Sequence, residues 1–68
     1  MNLTKLTYEE IRRLESRVGN IENFKVRHKT GPASRLDVYK DIDSYDKDIY
    51  VDTKEGSPYP EHTGETLY

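Results

Sequence analysis

The sequence contains no cysteine, no tryptophan and no long run of apolar residues. Without cysteine, neither disulfide bonds nor thiolate metal sites can hold this small chain together. The first residues show no apolar run of the kind that forms a signal peptide, and no segment approaches the roughly 20 apolar residues of a membrane-spanning helix. We therefore expect a cytoplasmic protein that makes no contact with a membrane.

Apolar residues are scarce, since hydrophobic residues make up 32% of the chain and charged residues 35%. Residues 1–68 are expected to form a single small domain, because a chain of this size buries only about 60% of its unfolded surface. Such a core is too small to enclose a deep active site. Any functional site therefore has to lie at the surface.

Charge is distributed unevenly along the chain. Residues 1–40 carry nine Lys or Arg and five Asp or Glu, a net +4, whereas residues 41–68 carry two and eight, a net −6. A basic half indicates an anionic partner such as nucleic acid. The two halves could equally well neutralise each other within the folded chain, and both interpretations are open at this point.

A helix is predicted over residues 8–18. Thr7 and Glu10 have the spacing of a capping box, in which each side chain accepts a hydrogen bond from the backbone N–H of the other residue. Gly19 suits the left-handed conformation that commonly ends a helix. Apolar residues recur between these signals at three- and four-residue spacing, which gives the helix one apolar stripe: Ile11, Leu14 and Val18.

Three strands are predicted after this helix, over about residues 23–28, 35–42 and 48–54. Apolar and polar residues alternate in each of them, a pattern typical of strands with one buried face. Residues 55–68 contain Gly and Pro too densely for a regular element, so we expect an irregular tail. The result is an α+β fold in which the helix packs on a three-stranded antiparallel meander. Its two free edges leave open whether the protein is a monomer or a dimer through a sheet edge.

Four short segments in the second half of the chain follow one another in a recognisable order: LDVYKD at 36–41, DIYV at 48–51, KEGSP at 54–58 and EHTG at 61–64. This order resembles the C-terminal toxin modules of bacterial polymorphic toxins that are related to bacteriocin-type ribonuclease domains. Those modules carry a hairpin with an Ile-Tyr-Val strand, a Lys/Gly-rich turn and a Pro-Thr-Gly tail. The chain departs from them at His62, where such tails have proline, and at Asp52, where a basic residue is expected. No catalytic assignment is therefore transferred from the family.

The resemblance implies a small ribonuclease toxin that acts on RNA, is delivered into a target cell as part of a larger toxin, and is neutralised by a cognate immunity or antitoxin protein. Metal-free cleavage of RNA needs a base for the 2′-hydroxyl, an acid for the leaving oxygen and cations for the phosphate. The catalytic candidates are His28, His62, Glu61 and Lys40. The candidates for binding the RNA phosphates are Lys25, Arg27, Lys29 and Arg35.

Each histidine has a distinct expected role. His62, next to Glu61, is the expected proton donor, and His28, between Arg27 and Lys29, is the expected proton acceptor. Either histidine could instead be an ordinary surface residue, and Lys40 could be a rim residue whose ammonium reaches solvent. Neither metal-ligand spacings nor a Gly-rich phosphate loop are present, so no metal and no cofactor are expected.

A second interpretation is a non-catalytic protein-binding module, such as a small inhibitor or regulator. In that case the acidic second half would bind a basic protein surface. The calculated pI of 5.6 favours this interpretation, because nucleic-acid-binding domains are usually basic. The resemblance to toxin modules favours RNA cleavage, and both hypotheses stand on sequence alone.

Overall fold

The computed structural model describes all residues, 1–68, as two helices on a four-stranded antiparallel sheet. The strands follow the order β1-β2-β3-β4 across the sheet. The α+β class predicted from the sequence is confirmed, although the number of helices and strands differs. The elements in chain order are β1 (Leu3–Lys5), α1 (Tyr8–Val18), α2 (Ile21–His28), a 3-10 turn (Ala33–Arg35), β2 (Leu36–Asp41), β3 (Asp48–Thr53) and β4 (Glu61–Thr66).

The ends of α1 are formed by local side-chain and backbone contacts. The Thr7 side chain accepts a hydrogen bond from the Glu10 N–H, and the Glu10 carboxylate accepts one from the Thr7 N–H. These two bonds satisfy backbone donors that have no partner within the helix. At the other end Gly19 has φ 87°, a conformation that costs glycine little, and the chain turns there into α2.

The segment 23–28, predicted as a strand, belongs to helix α2. Its alternating pattern covers too few residues to distinguish a strand from a helix, and Asn20 supplies an N-cap by accepting a hydrogen bond from the Asn23 N–H at 3.0 Å. Helical geometry turns Phe24 and Val26 to different sides. Phe24 is accordingly 2% exposed and Val26 47% exposed.

The segment 55–68, predicted as an irregular tail, contains strand β4. Its prolines lie in the loop before the strand, where they remove no ladder hydrogen bond. Gly64, at φ 83°, lies where the pairing of β4 with β3 shifts register. Leu67 is fully buried and its N–H donates to the Lys47 carbonyl at 2.9 Å. Strand β1 is not predicted either, because three residues are too few to show alternation.

The core lies between the helices and one face of the sheet, and all of its strand residues come from that face. Ile42 would continue the inward alternation of Leu36 and Val38, but it is 40% exposed, because β2 ends one residue before it. No helix of the protein is both long and apolar enough to span a lipid bilayer. The core consists of Leu6, Leu14, Phe24, Leu36, Val38, Ile49, Val51 and Leu67, with Ile11, Val18 and Ile21 partly buried against it.

Replacing Leu14 by alanine tests this packing. Leu14 is fully buried between α1 and the sheet, so Leu14→Ala is expected to lower the free energy of unfolding by about 2–5 kcal/mol. Val26→Ala is the matched control and is expected to change it by less than about 0.5 kcal/mol, since Val26 is largely exposed on α2. Urea unfolding measures both values. Similar losses in the two variants would contradict the orientation of the helices.

Candidate functional site

Alternation along the strands gives the sheet two different faces. Val38 in β2 and Val51 in β3 point toward the helices and are buried. Their neighbours Tyr39 and Tyr50 therefore point to the opposite side, which neither helix covers. We call this side the open face.

Four side chains form one row across the open face. Lys5 lies opposite Tyr39, Tyr39 opposite Tyr50, and Tyr50 opposite His62. The row therefore crosses all four strands, and at about 4.8 Å per strand spacing it extends over roughly 14 Å. We call Lys5, Tyr39, Tyr50 and His62 the open-face row.

The aromatic members of the row differ in accessibility. Tyr50 and His62 meet edge to face, with ring centroids 5.0 Å apart. His62 is exposed and Tyr50 half-buried. Tyr39 is 8% exposed, and its hydroxyl donates a hydrogen bond to the Thr53 carbonyl at 2.6 Å. The centre of the row is thus fixed, while His62 and part of Tyr50 can meet a ligand.

Burial also determines the protonation of Tyr39. Loss of hydration, together with the charges of Asp37, Asp52 and Glu55, raises the pKa of the Tyr39 hydroxyl above its ordinary value. A hydroxyl that keeps its proton goes on donating to the Thr53 carbonyl. Tyr39 therefore acts as a fixed support for its neighbours in the row.

On the open face, the carboxylates of Asp37 and Asp52 have partners within the protein, whereas that of Asp48 has none. Asp37 is held 3.6 Å from the Lys5 ammonium. Asp52 is 2% exposed and accepts from the Ser57 N–H at 2.7 Å and the Ser57 hydroxyl at 2.6 Å. Burial opposes its ionisation, but these hydrogen bonds lower the pKa of Asp52 below its ordinary value. Asp48, by contrast, has neither an ion-pair partner nor a hydrogen bond to its carboxylate.

No group of three or more His, Asp or Glu side chains is arranged as the ligands of a metal ion. A family model described as Ntox33, bacterial toxin 33, matches residues 2–68. The chain belongs to this bacterial toxin family. The match extends over nearly the whole sequence, so the likeness to toxins is not limited to the second half. No curated protein and no solved structure matches the chain.

In this member of the bacterial toxin 33 family, the two histidines lie on opposite sides of the sheet. His28 ends α2 and packs on the ring of Phe24, with centroids 4.6 Å apart, and Phe24 belongs to the core on the helix side. His62 lies on the open face beside Tyr50. The acid-base pair expected from the sequence is therefore not brought together. Glu61 lies opposite Val51, which places it on the helix side.

Lys40 connects the sheet to α1 in this toxin domain. Its ammonium lies 2.6 Å from the Glu10 carboxylate, and both side chains are largely shielded from solvent. Burial alone would raise the pKa of Glu10, but the Lys40 hydrogen bond, the Thr7 N–H and the Lys40 charge together lower it. Lys40 thus has a structural partner away from His62.

None of the four predicted phosphate-binding residues belongs to the open-face row. Two lie on α2, Lys29 directly follows α2, and Arg35 ends the 3-10 turn. Lys25 pairs with Glu22 at 3.3 Å. Lys29 donates to the Tyr59 carbonyl at 2.9 Å and lies 3.6 Å from Asp52. Arg27 and Arg35 are exposed and form no ion pair, so these two remain accessible to an anion.

The Glu10–Lys40 pair predicts how stability depends on pH. The pKa of Glu10 in the folded state lies below its ordinary value of 4.5. The ionised Glu10 therefore stabilises the folded state at pH values above its ordinary pKa, and this stabilisation is lost as the pH falls through the folded-state pKa. Glu10→Gln is expected to lower the melting temperature at about pH 7, with the difference shrinking toward about pH 3.

Circular dichroism melts at both pH values measure this difference. Glu9→Gln is the control, since the exposed Glu9 forms no ion pair, and it is expected to melt like the parent at either pH. A difference for Glu10→Gln that stays constant with pH would show that the pair does not stabilise the fold through its charges.

Proposed function

We propose that this toxin domain cleaves RNA without a metal ion, and that the reaction takes place on the open face at His62. The open-face row is the observation that supports this proposal most directly. It combines an imidazole, two phenols and an ammonium in one line on a face that no helix covers. RNA cleavage needs proton transfer and neutralisation of the phosphate, and stacking on aromatic rings helps to bind the bases of the strand.

Binding of single-stranded RNA would use the row from end to end. The partly exposed ring of Tyr50 offers a surface on which a base can stack. The Lys5 side chain is 51% exposed, and its 3.6 Å contact with Asp37 leaves the ammonium able to reach a phosphate. The roughly 14 Å between the two ends of the row separates this phosphate from the one that reacts at His62.

The proposed reaction is an attack of the ribose 2′-oxygen on the adjacent phosphorus. A base takes the 2′-hydroxyl proton, the bond from phosphorus to the 5′-oxygen breaks, and an acid protonates that oxygen. The products are a 2′,3′-cyclic phosphate and a 5′-hydroxyl. His62 is the proposed acid, because it is the exposed titratable end of the row.

Asp48 is the proposed base. Strand alternation places it on the same face as Tyr50, two residues away. Its carboxylate has no partner within the protein, so it is available to accept a proton. Asp52 is a poorer candidate because its oxygens already accept hydrogen bonds from Ser57.

Membership in a toxin family suggests a cognate immunity protein in the producing cell and delivery into a target cell. If the open face carries the activity, an immunity protein that acts by blocking the site has to cover His62 and Tyr50. Both side chains lie near the free edge of the sheet formed by β4. The partner would thus approach from that edge.

Two histidine variants test the location of the site. His62→Ala is expected to reduce RNA cleavage by about 100-fold or more, the usual contribution of a proton-transfer group. His28→Ala is the matched control and is expected to retain activity, because His28 lies on the helix side of the sheet. Cleavage is followed on a gel with EDTA present, and melting curves establish that both variants are folded.

A loss confined to His28→Ala would move the site to the end of α2, and a loss caused by EDTA would contradict metal-free cleavage. If the parent domain cleaves no RNA, the hypothesis of a non-catalytic protein-binding module takes its place.

Two variants of Tyr50 separate stacking from hydrogen bonding. Tyr50→Ala is expected to weaken binding of a 2′-O-methyl RNA, which cannot be cleaved, by about 1–3 kcal/mol, the value of one stacked base. Tyr50→Phe keeps the ring and is expected to bind like the parent. Fluorescence anisotropy measures both affinities. Equal weakening in the two variants would show that the hydroxyl, rather than the ring, makes the contact.

A further inference from the structure

Two arginines on the exposed side of α1 each lie beside a tyrosine ring, one on α1 itself and one that follows β4. The Arg12 guanidinium lies 5.8 Å from the centroid of the Tyr8 ring, and the Arg13 guanidinium lies 5.1 Å from that of Tyr68. Both tyrosines are largely exposed, Tyr8 by 72% and Tyr68 by 62%. We call these four residues the α1 surface. A groove of about 600 Å³ lies there, lined in part by Arg12, Arg13 and Tyr68.

The arginines of the α1 surface have no carboxylate partner. All four ion pairs of the protein are formed by lysines. Glu10 also lines the groove, but its charge is neutralised by Lys40 at 2.6 Å. Glu9 is then the only unpaired acidic side chain among the lining residues. An unpaired guanidinium held near an aromatic ring can stack on a base and bind phosphate through two hydrogen bonds.

The α1 surface begins close to where the open-face row ends. Lys5 is the last member of the row and lies on β1, an edge strand of the sheet. Tyr8 follows three residues later, at most about 11 Å along the chain. A nucleic acid strand that lies along the row from His62 to Lys5 would therefore pass over the β1 edge and meet Tyr8 and Arg12.

We infer that the α1 surface is a second binding site for single-stranded RNA, which holds a segment of the substrate outside the cleavage site. This inference rests on the proposed RNA cleavage. The tyrosine rings and guanidinium planes receive bases, and the two arginines neutralise the phosphates between them. Long RNAs then bind more tightly than short ones, because only a long strand reaches from His62 along the open-face row to Tyr8 and Arg12.

The test compares 2′-O-methyl RNAs of two lengths, about 3 and about 12 nucleotides, in anisotropy titrations. The double variant Arg12→Ala/Arg13→Ala is expected to bind the long RNA at least tenfold more weakly and the short RNA within twofold of the parent. The logarithm of the binding constant for the long RNA falls linearly with the logarithm of the salt concentration. We expect the magnitude of this slope to be smaller by about 1.4 in the double variant, or about 0.7 for each phosphate of a single strand that is no longer neutralised. Glu9→Gln, which removes the unpaired carboxylate, is expected to tighten binding of the long RNA.

Two further variants control for charge. Arg12→Lys/Arg13→Lys keeps both charges but removes the planar groups, and it is expected to recover only part of the affinity for the long RNA. Lys54→Ala removes one exposed charge outside the α1 surface and is expected to weaken binding of the long RNA less than Arg12→Ala does. Equal effects of Lys54→Ala and Arg12→Ala would overturn the inference in favour of a general charge effect.

An unchanged affinity of the double alanine variant for the long RNA would also overturn the inference and leave a protein partner as the ligand of this surface. Equal weakening with both lengths would overturn it as well, because the arginines would then act at the cleavage site or on the fold. Cleavage of unmodified RNA by the parent and by His62→Ala tests the proposed function separately. If the parent cleaves RNA and the double variant binds both lengths normally, only the present inference fails.

Discussion

The buried aliphatic side chains of this chain form a single core with Phe24, on the helix side of the four-stranded sheet. Leu14 from α1, Phe24 from α2 and Leu67 after β4 meet the strand residues of that face in a single core. The opposite face receives no helix, and its side chains are polar or titratable even where they are buried, as at Tyr39 and Asp52. The open-face row lies on this face.

Contacts within β4 and just beyond its C-terminal end hold His62 in place. Beyond the strand, Leu67 is buried in the core and Arg17 donates to the carbonyls of Thr66 and Leu67. Within it, the Thr63 hydroxyl donates to the Ile49 carbonyl at 2.8 Å. These contacts fix β4 against β3 in a chain segment rich in Gly and Pro. The exposed imidazole thus sits on an ordered strand, as a site that depends on geometry requires.

The sequence is informative where its signals are local. Thr7 and Glu10 predict the N-terminal cap of α1, and apolar residues at helical spacing predict its buried stripe. Alternation of apolar and polar residues predicts the hairpin of β2 and β3. Strand β4 is not predictable in the same way, because its stability comes from pairing with β3 and from the burial of Leu67, both long-range contacts. The row needs β1 and β4 as well as the hairpin. Tyr39 and Tyr50 can therefore be placed on a polar face, but their alignment with Lys5 and His62 cannot be predicted.

The proposed binding of RNA to the open face can be observed directly in an NMR titration of the labelled domain with 2′-O-methyl RNA. The ring signals of His62 and Tyr50 are predicted to shift in proportion to the bound fraction. Those of His28 are predicted to stay in place, because His28 packs on Phe24 on the other side of the sheet. Shifts at His28 without shifts at His62 and Tyr50 would contradict RNA binding on the open face and place the RNA on the helix side of the sheet.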